Sequence, residues 1–382
     1  MTTATPTEST SPDNISLRTR LRLRTQEHKP ILKSQRRGPA LLMGLLVLLV
    51  FIAIVSVGIG AVQISPVQTI SILLSKIGVE TDAAFTPLQE NVLMQIRLPR
   101  VVLGLLIGAA LGVAGTAIQG LFRNPLADPA LIGISSGAAF FAAMMIVFSG
   151  SVLHFVDVLL GHWSLPAAAF LGGFLTTLVI YRLATHNGVT SVPTMLLAGI
   201  AINALATAGV GILIFTANDA QLRDIAFWNL GSLGLADWNT VATIIPFVII
   251  TVVPLVLMAR ALNALLLGEL EAEHLGYNTE RIKQGIVVLV ALAVGAGVAV
   301  SGIIGFVGLI VPHLIRLIIG PDHRYVLPGS LLLGAALLTA ADLLARTVAS
   351  PAEVPIGIVT ALVGAPFFLY LLVRDRTTGR LV

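Results

Sequence analysis

Apolar residues in this chain come in long blocks. They show neither the strict alternation of a half-buried strand nor the one-sided stripe of a soluble surface helix. A membrane-spanning helix needs roughly 20 consecutive apolar residues. Windows of that length predict ten spans, near residues 39–62, 98–118, 130–149, 165–184, 193–215, 240–260, 282–301, 303–319, 327–347 and 355–373. The seventh and eighth are divided only by the glycine-rich Ser301-Gly-Ile-Ile-Gly305. The second is bracketed by Arg97-Leu-Pro-Arg100 and by Gln119-Gly-Leu-Phe-Arg-Asn-Pro-Leu-Ala-Asp-Pro129. Pro125 and Pro129 push Asn124 and Asp128 out of the helical region. Within that span Gly104, Gly108 and Gly112 fall four apart, leaving one helix face nearly bare backbone for a neighbour to approach.

One polar interval has a helical period. Asn263-Ala-Leu-Leu-Leu-Gly-Glu-Leu-Glu-Ala-Glu-His-Leu-Gly276 sets apolar residues at helix spacing with acids between them. Such a stretch suits two short helices lying at the membrane surface, broken at Gly268 and Gly276.

Charge orients the spans. Lys and Arg collect in alternate loops: the N-terminal tail, Arg123, Arg182, Arg281 with Lys283, Arg316 with Arg324, and Arg374, Arg376 and Arg380. The intervening loops, 63–96, 150–164, 216–239 and 348–354, are poorer in them. By the positive-inside rule both termini are expected in the cytoplasm, and the alternation needs all ten spans. Residues 1–38 are Thr/Ser-rich and then basic, and are expected to form a disordered cytoplasmic tail. That basic region is too long, and the following apolar run too extended, for a signal peptide. The membrane-spanning body would then run over 39–382.

Composition agrees with this class. The 382 residues are 56% hydrophobic and 11% charged, against roughly 25% charged in soluble domains. With no cysteine, disulfides, iron–sulfur clusters and thiolate zinc sites are excluded. The net charge of +4 is spread over loops and termini, so it marks no nucleic-acid surface.

Candidate chemistry is sparse. There is no Walker A pattern, no G-x-G-x-x-G after a strand and no His/Glu pair at metal spacing, so neither ATP nor another cofactor is expected on this chain. For an intramembrane hydrolase the suspects are Ser135, Ser136 and His313, but serine among glycines in a membrane helix reads more simply as small-residue packing. Asp342 and Arg346 lie four apart on the ninth span, spaced to pair on one face. Asn203 suits an interhelical hydrogen bond. His154 and His162 fall in an external loop, where solvation is the simpler reading and approach to a metal-bearing ligand the sharper one.

Taken in order, several segments resemble those of the permease subunits of bacterial iron-siderophore, haem and cobalamin ABC importers. They are Arg97-Leu-Pro-Arg100, Gln119 to Pro129, Leu197-Ala-Gly-Ile200, Trp228-Asn-Leu-Gly-Ser232, Leu267-Gly-Glu269 with Leu275-Gly276, Gly305-Phe-Val-Gly-Leu-Ile-Val-Pro-His-Leu-Ile-Arg316, Ala341-Asp342 with Ala345-Arg346, and Glu353-Val-Pro-Ile-Gly-Ile358 running into Gly364-Ala-Pro-Phe367. The resemblance covers about Met43 to Val373 and implies an all-α, ten-helix type II importer permease, not itself an enzyme. It implies a homodimer with the path at its axis, and two ATPase subunits, carrying ATP and Mg, docked on the 262–276 helices. Leu267, Gly268, Glu269, Leu275 and Gly276 would then be the coupling positions. An external binding protein would place carboxylates on Arg97, Arg100 and Arg346, for which a planar guanidinium fork is suited.

For the substrate, Ala217 to Trp228 and Gly231 to Trp238 look most like the haem branch. There Phe227 and Trp228 could pack a macrocycle and Arg223 attract a propionate. Ferric siderophore, and after it cobalamin, are the alternatives. A gate without ligand contact is the plainer role for these residues. An ion-coupled secondary transporter would also show broken helices and midplane charge, but the sequence lacks a buried acidic pair for ion coupling.

Overall fold

A computed structural model describes residues 29–60, 62–76, 78–79, 84–350 and 352–377. Among these the chain is helical apart from one two-stranded hairpin. Ten helices occupy the ten predicted spans: α1 (Lys29–Gly58), α4 (Leu98–Leu121), α5 (Ile134–Phe148), α7 (Ser164–Ala184), α8 (Val192–Thr216), α10 (Trp238–Leu257), α13 (Thr279–Ser301), α14 (Val307–Ile319), α15 (His323–Thr347) and α16 (Ile356–Thr377). Seven of the ten lie in stretches long and apolar enough to cross a membrane by themselves; α5, α14 and α16 are shorter apolar helices. The rest are connecting helices: α2 (Pro66–Ser75) and α3 (Pro87–Asn91) in the first loop, α6 (His154–Leu160), α9 (Asp219–Leu230), and the pair α11 (Ala259–Leu267) and α12 (Glu269–His274).

Two boundaries depart from expectation. Helix α1 begins at Lys29, so ten residues assigned to the tail are helical. Pro30 beside the helix start suits a first turn, whose N–H groups need no partner. Residues 1–28 lie outside the described ones. At the other break, Gly302 to Phe306 is unwound: Gly302 has φ 68° and Phe306 φ 67°. The backbone of Gly302 lies so close to the Trp228 carbonyl that no side chain fits there.

Helix α4 is the axle of the fold. Of its best 18-residue window 83% is buried, against 11% for α8 at the periphery. The bare face anticipated from Gly104, Gly108 and Gly112 packs on α15. A Cβ on Gly108 would strike the Gly334 carbonyl, and one on Gly112 the Ser330 carbonyl. Gly115 extends the ridge against Gly308 of α14. Small residues admit backbone-to-backbone packing where bulk would hold helices apart.

The predicted break after α4 is also present. Asp128 is extended (φ −114°, ψ 142°) and caps the 3-10 turn Pro129–Ile132, its Oδ1 accepting from Ala130 N at 2.8 Å. Burial pushes the Asp128 carboxyl above the usual range, opposed by that N–H.

Candidate functional site

Three polar centres lie on this frame. The first is a knot of charge at the end where α1 stops. An α-helix leaves its last four carbonyls without partners, and here two arginines take those of Ser56, Val57 and Gly58, with Ile59 and Val62 just beyond. Arg97, delivered by a π-helical turn, Val92–Arg97, ahead of α4, donates through Nη1 to Val57 O (3.1 Å) and Gly58 O (2.8 Å), and through Nη2 to Val62 O. Arg346 donates to Ile59 O (2.9 Å), to Ser56 O and to Ser56 Oγ (2.8 Å). A guanidinium at a helix C-terminus also faces the negative end of its dipole.

Arg100 completes the knot. Its Nε lies 3.0 and 3.1 Å from the two Asp342 oxygens, and its Nη1 2.8 Å from Glu353 Oε1. Asp342 also stands 3.6 Å from Arg346 Nε, the spacing expected of that pair. The resemblance implied that all three arginines receive carboxylates from a binding protein; in the structure their side chains are turned inward. The side chains of Arg100 and Arg346 are each 8% exposed and Asp342 2%, whereas Glu353 is 47% exposed. Glu353, quoted in a motif but given no role, is the half-exposed member. It sits on the loop stitched to the end of α9 by Ile356 N to Gly231 O.

The second centre is a cleft of about 420 Å³ between α5, α8 and the end of α9, with Ser135, Ser136, Asn203, Thr207 and Asn229 on its walls. Ser136 donates to Asn203 Oδ1, and Asn203 Nδ2 donates to Ala130 O at 3.3 Å. Asn203 therefore makes the interhelical bond anticipated for it. The group beside Ser136 is an amide, which cannot serve as a hydrolase base. Of the proposed path residues, Arg223 and Phe227 are exposed on α9 and Trp228 is half-buried against the core. None of the three lines this cleft; their neighbour Asn229 does. His162 lies against the Trp163 ring (5.0 Å between centroids), and no group of three or more His, Asp or Glu able to hold a metal occurs among the described residues.

The third centre is at the opposite end. α11 and α12 meet at Gly268 (φ 133°), and α12 ends before Gly276 (φ 87°), the two breaks read from the sequence. Leu267, Leu270 and Leu275 are exposed there, with Glu269 and Glu271 between them. α11 is anchored by Asn263, which donates to Asp322 Oδ1 at 2.7 Å and accepts from His323 N at 2.9 Å. Lys283, counted in the sequence only as a loop charge, is buried here.

The chain matches the FecCD transport family over residues 47–374. It belongs to that family. Among characterised relatives it is 45% identical over 342 residues to the hemin transport system permease protein HmuU of Yersinia pestis, covering 89% of this chain and 98% of that one. It is 43% identical over 281 residues to a cobalamin import permease, BtuC, of Halobacterium salinarum, covering 74% and 73%. Among solved structures it matches an inward-facing conformation of an ABC transporter described as metal-chelate type, with TM-score 0.76, 33% identity and 88% and 99% coverage. This FecCD protein is therefore the multi-pass membrane permease of an ABC importer. It is not an enzyme itself: ATP hydrolysis lies in a separate subunit, and an external binding protein is implied.

Proposed function

We propose that this permease imports haem. The observation that carries the reading is the match to the hemin permease along nearly all of that protein's length. In support, α9, whose last turn meets Gly302 through the Trp228 carbonyl, exposes Arg223 and Phe227, a cation and an aromatic face suited to a propionate and a macrocycle. The 43% identity to a cobalamin permease makes cobalamin the second reading. The test is ATP hydrolysis by the reconstituted complex with its binding protein loaded in turn with haem, a ferric siderophore or cobalamin. Haem should stimulate most; stronger stimulation by either rival overturns the haem reading. Uptake driven by an ion gradient with the ATPase subunits absent would instead support a secondary transporter.

The same proposal has two copies joined as a homodimer, both termini in the cytoplasm, and two ATPase subunits docked on α11 and α12 through Leu267, Gly268, Glu269, Leu275 and Gly276. The binding protein docks at the arginine knot. Arg97 and Arg346 build that pocket by holding the end of α1, and Arg100 receives the incoming carboxylate in place of Glu353. The Glu353 carboxylate is half-exposed and can return to water when it leaves Arg100, while the buried Asp342 stays. Glu353→Gln should then tighten docking, whereas Arg100→Glu should weaken it. Unchanged affinity in both variants removes this assignment.

A further inference from the structure

Lys283 is 1% exposed, although it is only the fifth residue of α13, near the helix start, where a lysine would ordinarily reach water. An ammonium has three donors, and each goes to a separate element. Nζ donates to Glu269 Oε2 at the start of α12 (2.6 Å), to Glu280 Oε1 one turn back in α13 (2.9 Å), and to Thr190 O (3.0 Å). Thr190 is the last residue of β2 (Val189–Thr190), which pairs with β1 (Thr185–His186). Glu280 in turn accepts from Thr190 N through Oε2 at 3.0 Å. Both backbone polar groups of residue 190 are thus held by the base of α13.

The hairpin is stiff. Asn187 and Gly188 have φ 51° and 80°, as a tight two-residue turn requires. The Thr185 and Thr190 hydroxyls are bonded at 3.0 Å, and Thr190 Oγ1 reaches Tyr181 OH at 3.3 Å. Ser191, the next residue, is the N-cap of α8. Thr207 on the polar cleft lies seventeen residues beyond Thr190, about 25 Å at a helix rise of 1.5 Å per residue.

Stability alone does not account for this arrangement. A buried ion cluster is often no more stabilising than apolar residues of equal volume. What it supplies is a joint held in three directions between α12, α13 and the root of α8. We propose that Lys283 is the positioning residue that transmits displacement of α12 to α8 and so to the polar cleft. The proposal rests on α11 and α12 being the ATPase-facing surface.

The chain contains no cysteine, so a single thiol is a clean reporter. Thr207→Cys, in the complex with its ATPase subunits in proteoliposomes, is labelled with a water-soluble maleimide without nucleotide and with ATP plus vanadate. With Lys283 present the two labelling rates should differ several-fold. Lys283→Met should abolish the difference in a complex that still assembles and hydrolyses ATP, and Lys283→Arg should restore part of it. Glu280→Gln, which keeps the Glu269 arm, should reduce the difference and serves if Lys283→Met does not assemble. A nucleotide response that survives Lys283→Met overturns the proposal. So does its survival in Glu280→Gln when Lys283→Met fails to assemble, its absence with Lys283 present, or failure of both variants to assemble. Cross-linking of Leu270→Cys to the ATPase subunit reports the docking surface separately: a cross-link with no effect of Lys283 removes the joint but leaves the dock.

Discussion

At the residue scale the arginine knot shows how a membrane fold uses charge. Asp342 is enclosed by Arg100 and Arg346. Removing one partner of a buried pair strands the others, at about 3–5 kcal/mol. Asp342→Ala should therefore lower the melting temperature of the detergent-purified protein sharply, and a wild-type melting curve would show that the arginines do not depend on it. Asp128 makes the opposite case. Its carboxyl is pushed up by burial, so the folded state holds its proton more tightly than the unfolded chain. Its share of stability is then greatest at acid pH and declines as pH rises through the ordinary carboxylate value toward the raised one. Asn caps as well as Asp and carries no charge. Asp128→Asn should be at least as stable as wild type at neutral pH and flatten that decline, while Asp128→Ala loses the cap, about 0.5–2 kcal/mol. Thermal melts across pH distinguish the three. The pair Asp342–Arg346 was legible because i and i+4 neighbours need no tertiary information. Glu353 was not, because its partner lies 253 residues away; Lys283 has Glu280 one turn back, but the Thr190 carbonyl that ties it to the hairpin lies 93 residues away.

Among the elements, the glycine ridge of α4 carries the closest packing. The four-residue period announced a bare face, and the structure supplies α15 and α14 as its occupants. Gly108→Ala would put a methyl group onto the Gly334 carbonyl. Overpacking of this kind costs about 1–3 kcal/mol. The variant should melt lower, whereas Gly44→Ala, in open space on α1, should not; equal melts for both would mean that α4 and α15 separate freely. The helix breaks at Gly268 and Gly276 were equally legible, since glycine interrupts a helical period for a local reason. The apolar span starts at Gly38, as read to within a residue, but its helix starts earlier, because polarity ends a span without by itself ending a helix: Lys29–Gly38 is polar and helical. The lining of the cleft was illegible for another reason. Ser135, Asn203 and Asn229 converge from three helices, and no spacing along one chain encodes that meeting.

For the whole molecule, the apolar blocks were enough to place every spanning helix within several residues, because lipid forbids unpaired backbone and so rules out most alternatives. Orientation is a separate matter, and it rests on where Lys and Arg fall. An even number of spans puts both termini on one side, and the proposed cytoplasmic side is the one the positive-inside rule assigns to the richer loops. The natural absence of cysteine makes the arrangement directly measurable with four exposed positions. Ser151 lies between α5 and α7 and Leu235 between α9 and α10; Val189 lies in the hairpin and Arg324 at the start of α15. In intact cells a membrane-impermeant maleimide should label Ser151→Cys and Leu235→Cys, and should reach Val189→Cys and Arg324→Cys only after permeabilisation. Complete inversion of the pattern would place the termini outside and move the arginine knot to the ATPase side, removing the docking assignments at both ends together. Ser151 and Leu235 labelled from opposite sides would mean that one of the helices between them, α7, α8 or α9, crosses differently, and the ten-span topology would fall.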